Sequence, residues 1–98
     1  MRSLDFTWNP AKARANLRKH GVSFVEAQSV FHDEHARLLD DPDHSEAEDR
    51  FILLGLSIAL RLLVVVHAHR EAEGLIRIIS ARKASPRERA GYERGGRS

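Results

Sequence analysis

An α+β domain is predicted for this chain. Two N-terminal helices pack on one face of an antiparallel sheet of about four strands, and a C-terminal helix follows. Three observations carry this reading. Helix start and stop signals gather at the two ends of the sequence. Between them lie four strand-like stretches, "ARLLD", "RFILLGLS", "RLLVVVHAHR" and "LIRIISA". The links joining the last three are too short for crossovers, so those strands form an antiparallel meander.

Each element has its own signal. "LDFTW" reads as a short opening strand. In "WNPAKARANLRKHG", Asn9 suits the N-cap, Pro10 the first helical position and Gly21 the left-handed residue past the end. Ala13, Asn16, Leu17 and His20 share one face of that helix. In "SFVEAQSVF", Ser23 and Glu26 have capping-box spacing, and Phe24, Ala27 and Phe31 point inward. "DPDHSEAED" is an acidic loop and "EAEG" a polar turn. The link "SIAL" is unusually apolar for a turn, as a hairpin tip covered by another chain would be. Ser85, Pro86 and Glu88 open a last helix, expected along an edge of the sheet, with the sheet's second face partly open.

The 98 residues suit one domain, 1–98, with a modest two-layer core. At 42% hydrophobic and 31% charged, the chain is globular rather than disordered. It has no cysteine, which excludes disulfides and thiolate metal sites and fits a reducing cytoplasm. "MRSLDFTWNP" has no apolar signal-peptide region. "FILLGLSIALRLLVVVHA", residues 51–68, approaches the length of a membrane span, but Arg61 sits mid-run and a β-hairpin explains it better. Charge is uneven. Residues 1–22 carry five Lys/Arg against one Asp, and residues 82–98 six against two Glu. Residues 23–60 carry two against nine acids. One basic pole suits phosphates, and the acidic middle suits a basic partner.

Strict alternation places Arg61, Leu63, Val65, His67 and His69 on one face of the third long strand. Leu75, Arg77, Ile79 and Ala81 fall together on the fourth. With the apolar faces packed on the helices, His67, His69 and Arg77 share the open face. Arginine offers phosphate a planar fork of donors, and histidine moves a proton near neutral pH. Other readings stand beside this one. His67 and His69 have the spacing of a metal pair, but no close third ligand accompanies them, so no metal or other cofactor is expected. Arg77 could instead pair with Glu71 or Asp49. The acidic stretch lacks the glycine of a calcium loop. Trp8 suits a packing anchor better than a base-stacking platform. Tyr92 could pack on the sheet or reach the open face. These residues alone point to a small domain that binds nucleic acid.

Three segments resemble the BrnT family of bacterial toxins: "FTWNPAKARANLRKHGVSFVEAQSVFHD", "HSEAEDRFILLG" and "RLLVVVHAHR…IRIISARKASPRERAGYE". The likeness runs from about Phe6 to Tyr92, with "NLRKHGVSF" and "IRIISAR" its most specific parts. Family members usually carry a more polar turn where this chain has "SIAL". The resemblance implies a RelE-like ribonuclease fold and a cytoplasmic toxin of a type II toxin–antitoxin system. It implies RNA cleavage without metal, inhibition of translation, and neutralisation by a BrnA-like antitoxin in a hetero-oligomer. Arg77 and Arg82, in "RIISAR", are then expected at the phosphate and transition state, with His67 as acid or base. Lys19, in "RKHG", is a further catalytic candidate. Arg61, His69, Arg70, Lys83 and His20 are expected to contact RNA. The alternative is a non-enzymatic nucleic-acid-binding module or transcriptional autoregulator, against which the second helix is too short for groove reading. A protein-binding module whose basic pole docks an acidic partner is a third.

Overall fold

A computed structural model describes residues 5–40, 50–70 and 74–95, with the side chain of Arg70 left aside. The expected acidic loop and the "EAE" turn, with Asp49 and Glu71, lie outside the described residues. The elements are β1 (Asp5–Thr7), α1 (Pro10–His20), α2 (Phe24–Ser29) with a 3-10 turn (Val30–His32), β2 (Arg37–Asp40), β3 (Arg50–Leu56), β4 (Leu62–Arg70), β5 (Leu75–Lys83) and α3 (Pro86–Gly95).

The caps form where the sequence places them. The Asn9 side chain accepts from Lys12 N–H at 3.1 Å. Gly21 takes φ 69° and returns its N–H to Leu17 O. Ser23 Oγ accepts from Glu26 N–H at 3.0 Å, but the Glu26 carboxylate leaves the cap for Arg61 and Ser57. The box at α3 closes reciprocally: Glu88 N–H donates to Ser85 Oγ (3.1 Å) and Ser85 N–H to Glu88 Oε1 (2.8 Å).

The expected antiparallel strands are joined by the opening strand, giving a five-stranded sheet of order β1-β5-β4-β3-β2 in which β1 runs parallel to β5. Helices cover both faces. On one face α1, α2 and the 3-10 turn enclose Val22, Phe24, Ala27, Val30, Leu53, Leu63, Val65, Ile78 and Ala81. Gly55 admits no side chain there, since a Cβ would lie 2.9 Å from both Ala36 and Val30. On the other face Tyr92 of α3 packs with Ile52, Leu54, Leu56, Leu62 and Val64. The last helix therefore lies over the second face rather than along an edge. It is tied there by Tyr92, whose hydroxyl donates to Asp33 Oδ2 at 2.7 Å, and by Arg37, whose Nη1 donates to Gly91 O at 2.9 Å.

Two packing expectations change. Leu17 is 52% exposed, and Asn16 is the buried residue of α1. More consequential is a bulge. Val66 pairs with Ser80 but His67 with Ile78, so Ile79 is an extra residue without a partner in this register. One inserted residue reverses the alternation of everything on its far side. Ile78 and Ala81 thereby share the α1/α2 face.

Candidate functional site

The bulge decides which of the expected site residues meet. Residues directly opposite in a ladder share a face. Arg77 lies opposite Ala68, Ser80 opposite Val66, and Arg82 opposite Val64. Val64 belongs to the α3-side cluster. Arg77, Ser80 and Arg82 therefore form a row on the α3 face of β5. At about 3.3 Å per residue the two arginines stand roughly 15 Å apart along the strand, enough to meet two different phosphates.

His67 is on the opposite face, and its expected place beside Arg77 is corrected. It is fully buried, with its ring edge-on to Phe31 at a centroid distance of 4.8 Å. Its Nδ1 lies 3.3 Å from Val65 O, and its Nε2 has no partner among the described residues. Burial pushes the imidazole down to about 4; the Val65 carbonyl opposes this and His69 adds to it. A neutral tautomer with Nδ1–H donating to Val65 O fits these contacts. His69 is exposed on the same face, with ring centroids 5.0 Å from His67 and 5.2 Å from Phe51. Among the described residues no group of three metal-ligating side chains includes this pair.

Arg82 is anchored. Its Nη1 and Nη2 donate to the two oxygens of Glu88 at 2.8 and 2.9 Å, and Nη1 also reaches Lys83 O at 3.3 Å. Glu88 is held down to about 2, mainly by the Arg82 fork, against its own partial burial and with help from Ser85. A guanidinium has five N–H donors. Three are used, so the anchored Arg82 still presents donors while its orientation is held. Its side chain is 45% exposed.

The remaining candidates gather elsewhere. Arg61 donates through Nε to Glu26 Oε2 at 2.8 Å, through Nη2 to Glu26 Oε1, and to Gly21 O at 3.0 Å. These bonds hold the Glu26 carboxyl below its ordinary value, with Lys83 contributing its charge. Lys83 lies opposite Leu63 and so faces the α1/α2 side. Lys19 is exposed and His20 half-buried in the last turn of α1. Lys19, His20, Arg61 and Lys83 thus surround the end of α1, across the sheet from Arg77 and Arg82. Arg70 ends β4. Arg77 itself is half-buried. Trp8 stands edge-on to Phe24 at 6.0 Å and packs on the core, as an anchor does.

Several important groups carried no sequence-derived role. Asn16 is one: its Nδ2 donates to Ala81 O (2.8 Å) and Val22 O (2.9 Å), and its Oδ1 accepts from Ala81 N–H (3.1 Å). A carboxamide in the middle of an inward helix face was the signal for it. Asp33 is another, accepting from Leu56 N–H (2.8 Å) and His35 N–H (2.9 Å) as well as Tyr92. An open cleft of about 380 Å³ lies beside it, lined by Ser29, His32, Asp33, Leu56, Ser57 and Ile58.

What the arrangement can do is hold phosphates on a fixed row of cations beside α3. No curated protein matches the chain. A solved structure of similar fold, the Brucella abortus ribonuclease toxin BrnT, superposes with a TM-score of 0.64 over 85% of this chain and 99% of that one, at 22% identity. The family model described as "Ribonuclease toxin, BrnT, of type II toxin-antitoxin system" matches residues 8–88. With that match spanning most of its length, the chain belongs to the BrnT family of ribonuclease toxins.

Proposed function

We propose that this protein is an endoribonuclease toxin that cuts RNA without metal on the α3 face of its sheet. The observation that carries the reading is the row Arg77–Ser80–Arg82, set on one face by the β5 bulge. In the reaction a ribose 2′-hydroxyl attacks the adjacent phosphorus. The 5′-oxygen of the next nucleotide leaves, and a 2′,3′-cyclic phosphate remains. Negative charge grows on the phosphoryl oxygens. At their separation along β5 Arg77 is placed to stabilise it while Arg82 holds a neighbouring phosphate, and one preorganised donor of this kind is worth about 10²–10³ in rate.

The proton transfers are not assigned to His67, whose buried ring faces the other way. Glu88, held down to about 2, is a weak base and serves instead to orient Arg82. The geometry therefore favours charge stabilisation over general acid–base work. Lys19, His20, Arg61 and Lys83 form a second basic surface at the end of α1. In the cell this reading makes the protein a cytoplasmic inhibitor of translation, held inactive in a hetero-oligomer with a BrnA-like antitoxin.

The test is incubation of single-stranded RNA with the purified protein in EDTA. Fragments ending in 2′,3′-cyclic phosphate are expected. Cleavage lost on chelation and restored by added metal would sink the mechanism. Tight binding of duplex without any cutting would point instead to a non-enzymatic nucleic-acid-binding module.

A further inference from the structure

The β3–β4 tip is built unlike a solvent-facing turn. Ile58 is 83% exposed and Leu60 78%. Leu60 also takes φ 60°, left-handed backbone that glycine adopts freely and leucine only at a cost. Hydrogen bonds hold this shape. Ser57 N–H donates to Arg61 O (2.8 Å) and Leu60 N–H to Ser57 O (2.9 Å). Ile58 N–H donates to Ser29 Oγ (2.9 Å), and Ser57 Oγ to Glu26 (2.7 Å). Two aliphatic side chains are thus displayed on a frame tied to α2. A strained residue that holds apolar groups out into water is the pattern of a preorganised contact, in which the ordering cost is met before binding.

The surroundings indicate what it contacts. Val25, 68% exposed beside Glu26, enlarges the apolar surface, and the 380 Å³ cleft at the foot of Ile58 continues it as a groove. The rim is basic. Arg61 adjoins Leu60 and reaches Gly21, which follows Lys19 closely in the chain, and Lys83 is near enough to act on Glu26. The acids beside it are engaged within the chain: Glu26 by Arg61 and Ser57, and Asp33, which lines the cleft, by Leu56, His35 and Tyr92. A complement to this surface carries aliphatic and acidic side chains together. RNA fits it poorly, because phosphates satisfy the cations but bases stack on rings, not on isoleucine and leucine.

We propose that the Ile58–Leu60 tip and its basic rim are the docking surface for the antitoxin, received through a segment that presents aliphatic and acidic side chains. This rests on the type II toxin reading above. It also accounts for neutralisation. The tip stands at the Arg82 end of the sheet: Ala84 N–H donates to Leu62 O at 2.9 Å, and Val64, two residues further on, lies opposite Arg82. A protein seated on the tip that extends round this end onto the α3 face obstructs the RNA path to Arg82.

The test uses the full chain and, as probe, the protein encoded by the adjoining reading frame, with affinity measured by calorimetry. Ile58→Asp is expected to weaken binding by about 30-fold, the effect of losing one central anchor. Leu60→Gly is expected to weaken it about tenfold while melting no earlier than the parent, because glycine accepts the left-handed backbone. Unchanged affinity in both variants would overturn the docking surface and leave the pairing intact. Failure of the adjoining protein to bind the parent chain would overturn the toxin–antitoxin reading itself. A parent chain that dimerises, and becomes monomeric on Ile58→Asp with antitoxin binding unaltered, would assign the tip to a second copy instead. Loss of RNA affinity in Ile58→Asp, with protein binding kept, would assign it to RNA.

Discussion

Asn16 reads both backbone groups of Ala81, donating to its carbonyl at 2.8 Å and accepting from its N–H at 3.1 Å. The two residues are 65 positions apart, and Arg82 is the next residue. One buried carboxamide therefore locks α1 to β5 immediately before a proposed phosphate ligand. It also satisfies Val22 O in the turn that leads into α2.

Asn16→Leu is expected to destabilise strongly. It leaves the N–H and carbonyl of Ala81 and the carbonyl of Val22 buried without this partner, at about 1–3 kcal/mol for each group left unsatisfied. A total loss of about 3 kcal/mol or more is expected, out of a stability of roughly 5–15 kcal/mol for a domain of this kind. Urea unfolding checks it. A loss below about 1 kcal/mol would show that water or a shifted α1 replaces the carboxamide.

His67 gives stability a pH dependence. Its folded pKa, about 4, lies below the ordinary 6.5 because the ring is buried. Between those values the unfolded chain binds a proton that the folded chain refuses. This contribution is complete above about pH 6.5 and is lost as pH falls toward 4, by about 3 kcal/mol in all. His67→Phe, which keeps a ring against Phe31, is expected to flatten that slope and retain RNA cleavage. Unfolding curves at pH 7, 5.5 and 4.5 measure the first. An inactive but folded His67→Phe would return the histidine to the catalytic set.

Glu88 separates capping from charge pairing. Its carboxyl is held to about 2 by Arg82 against an ordinary 4.5. The pair therefore stabilises the fold fully above about pH 4.5, and the contribution disappears as pH falls through about 2. Glu88→Gln keeps a residue that suits the capping box and removes the charge. Acid unfolding of the variant is expected to be shallower than the parent's across that window. At neutral pH, Arg82 no longer shares its fork with a carboxylate, and RNA affinity is expected to rise and to depend more steeply on salt. An unchanged salt slope would mean that Arg82 does not contact phosphate.

The parts of this structure that were legible in the sequence are the local ones. Asn9, Gly21, Ser23 and the Ser85–Glu88 box announce helix ends because their partners lie within a few residues. Short links forced the β3–β4–β5 meander. Arg77 faces away from α1 and α2 as alternation suggested, but its sharing that face with Arg82 was not legible, because a bulge is a property of two strands and leaves no mark in one of them. Strict alternation along β5 put Arg77 with Ala81 and apart from Arg82, and the unpartnered Ile79 reverses both relationships. His67 was misplaced for another reason: alternation along β4 holds, but the face it shares with Leu63 and Val65, not the all-apolar one, packs on α1 and α2. The position of α3 depended on Tyr92 finding Asp33, 59 residues away. The "SIAL" tip was visible as an anomaly, but its rigidity comes from Ser29 and Glu26 on α2.

Arg77 is the residue on which the catalytic row most depends, and a pair of variants tests it. Arg77→Lys keeps the charge but loses the planar fork that binds two phosphoryl oxygens at once. Arg77→Ala loses both. If Arg77 stabilises the transition state, cleavage is expected to fall about 10²–10³-fold in Arg77→Ala, equivalent to roughly 2.7–4 kcal/mol. Arg77→Lys is expected to fall between that and the parent. Melting temperature is expected to change little, because the side chain is only half-buried and lies on the face away from α1 and α2. The opposite role is an ion pair whose loss strands a buried carboxylate, at about 3–5 kcal/mol of stability. That role makes both variants behave differently: Arg77→Ala melts far earlier yet cuts RNA normally while folded, and Arg77→Lys, still charged, recovers much of the stability. Melting curves and single-turnover cleavage on the same three proteins distinguish the two. An early-melting Arg77→Ala with parental cleavage would remove Arg77 from the row and leave Arg82 to carry the phosphate alone.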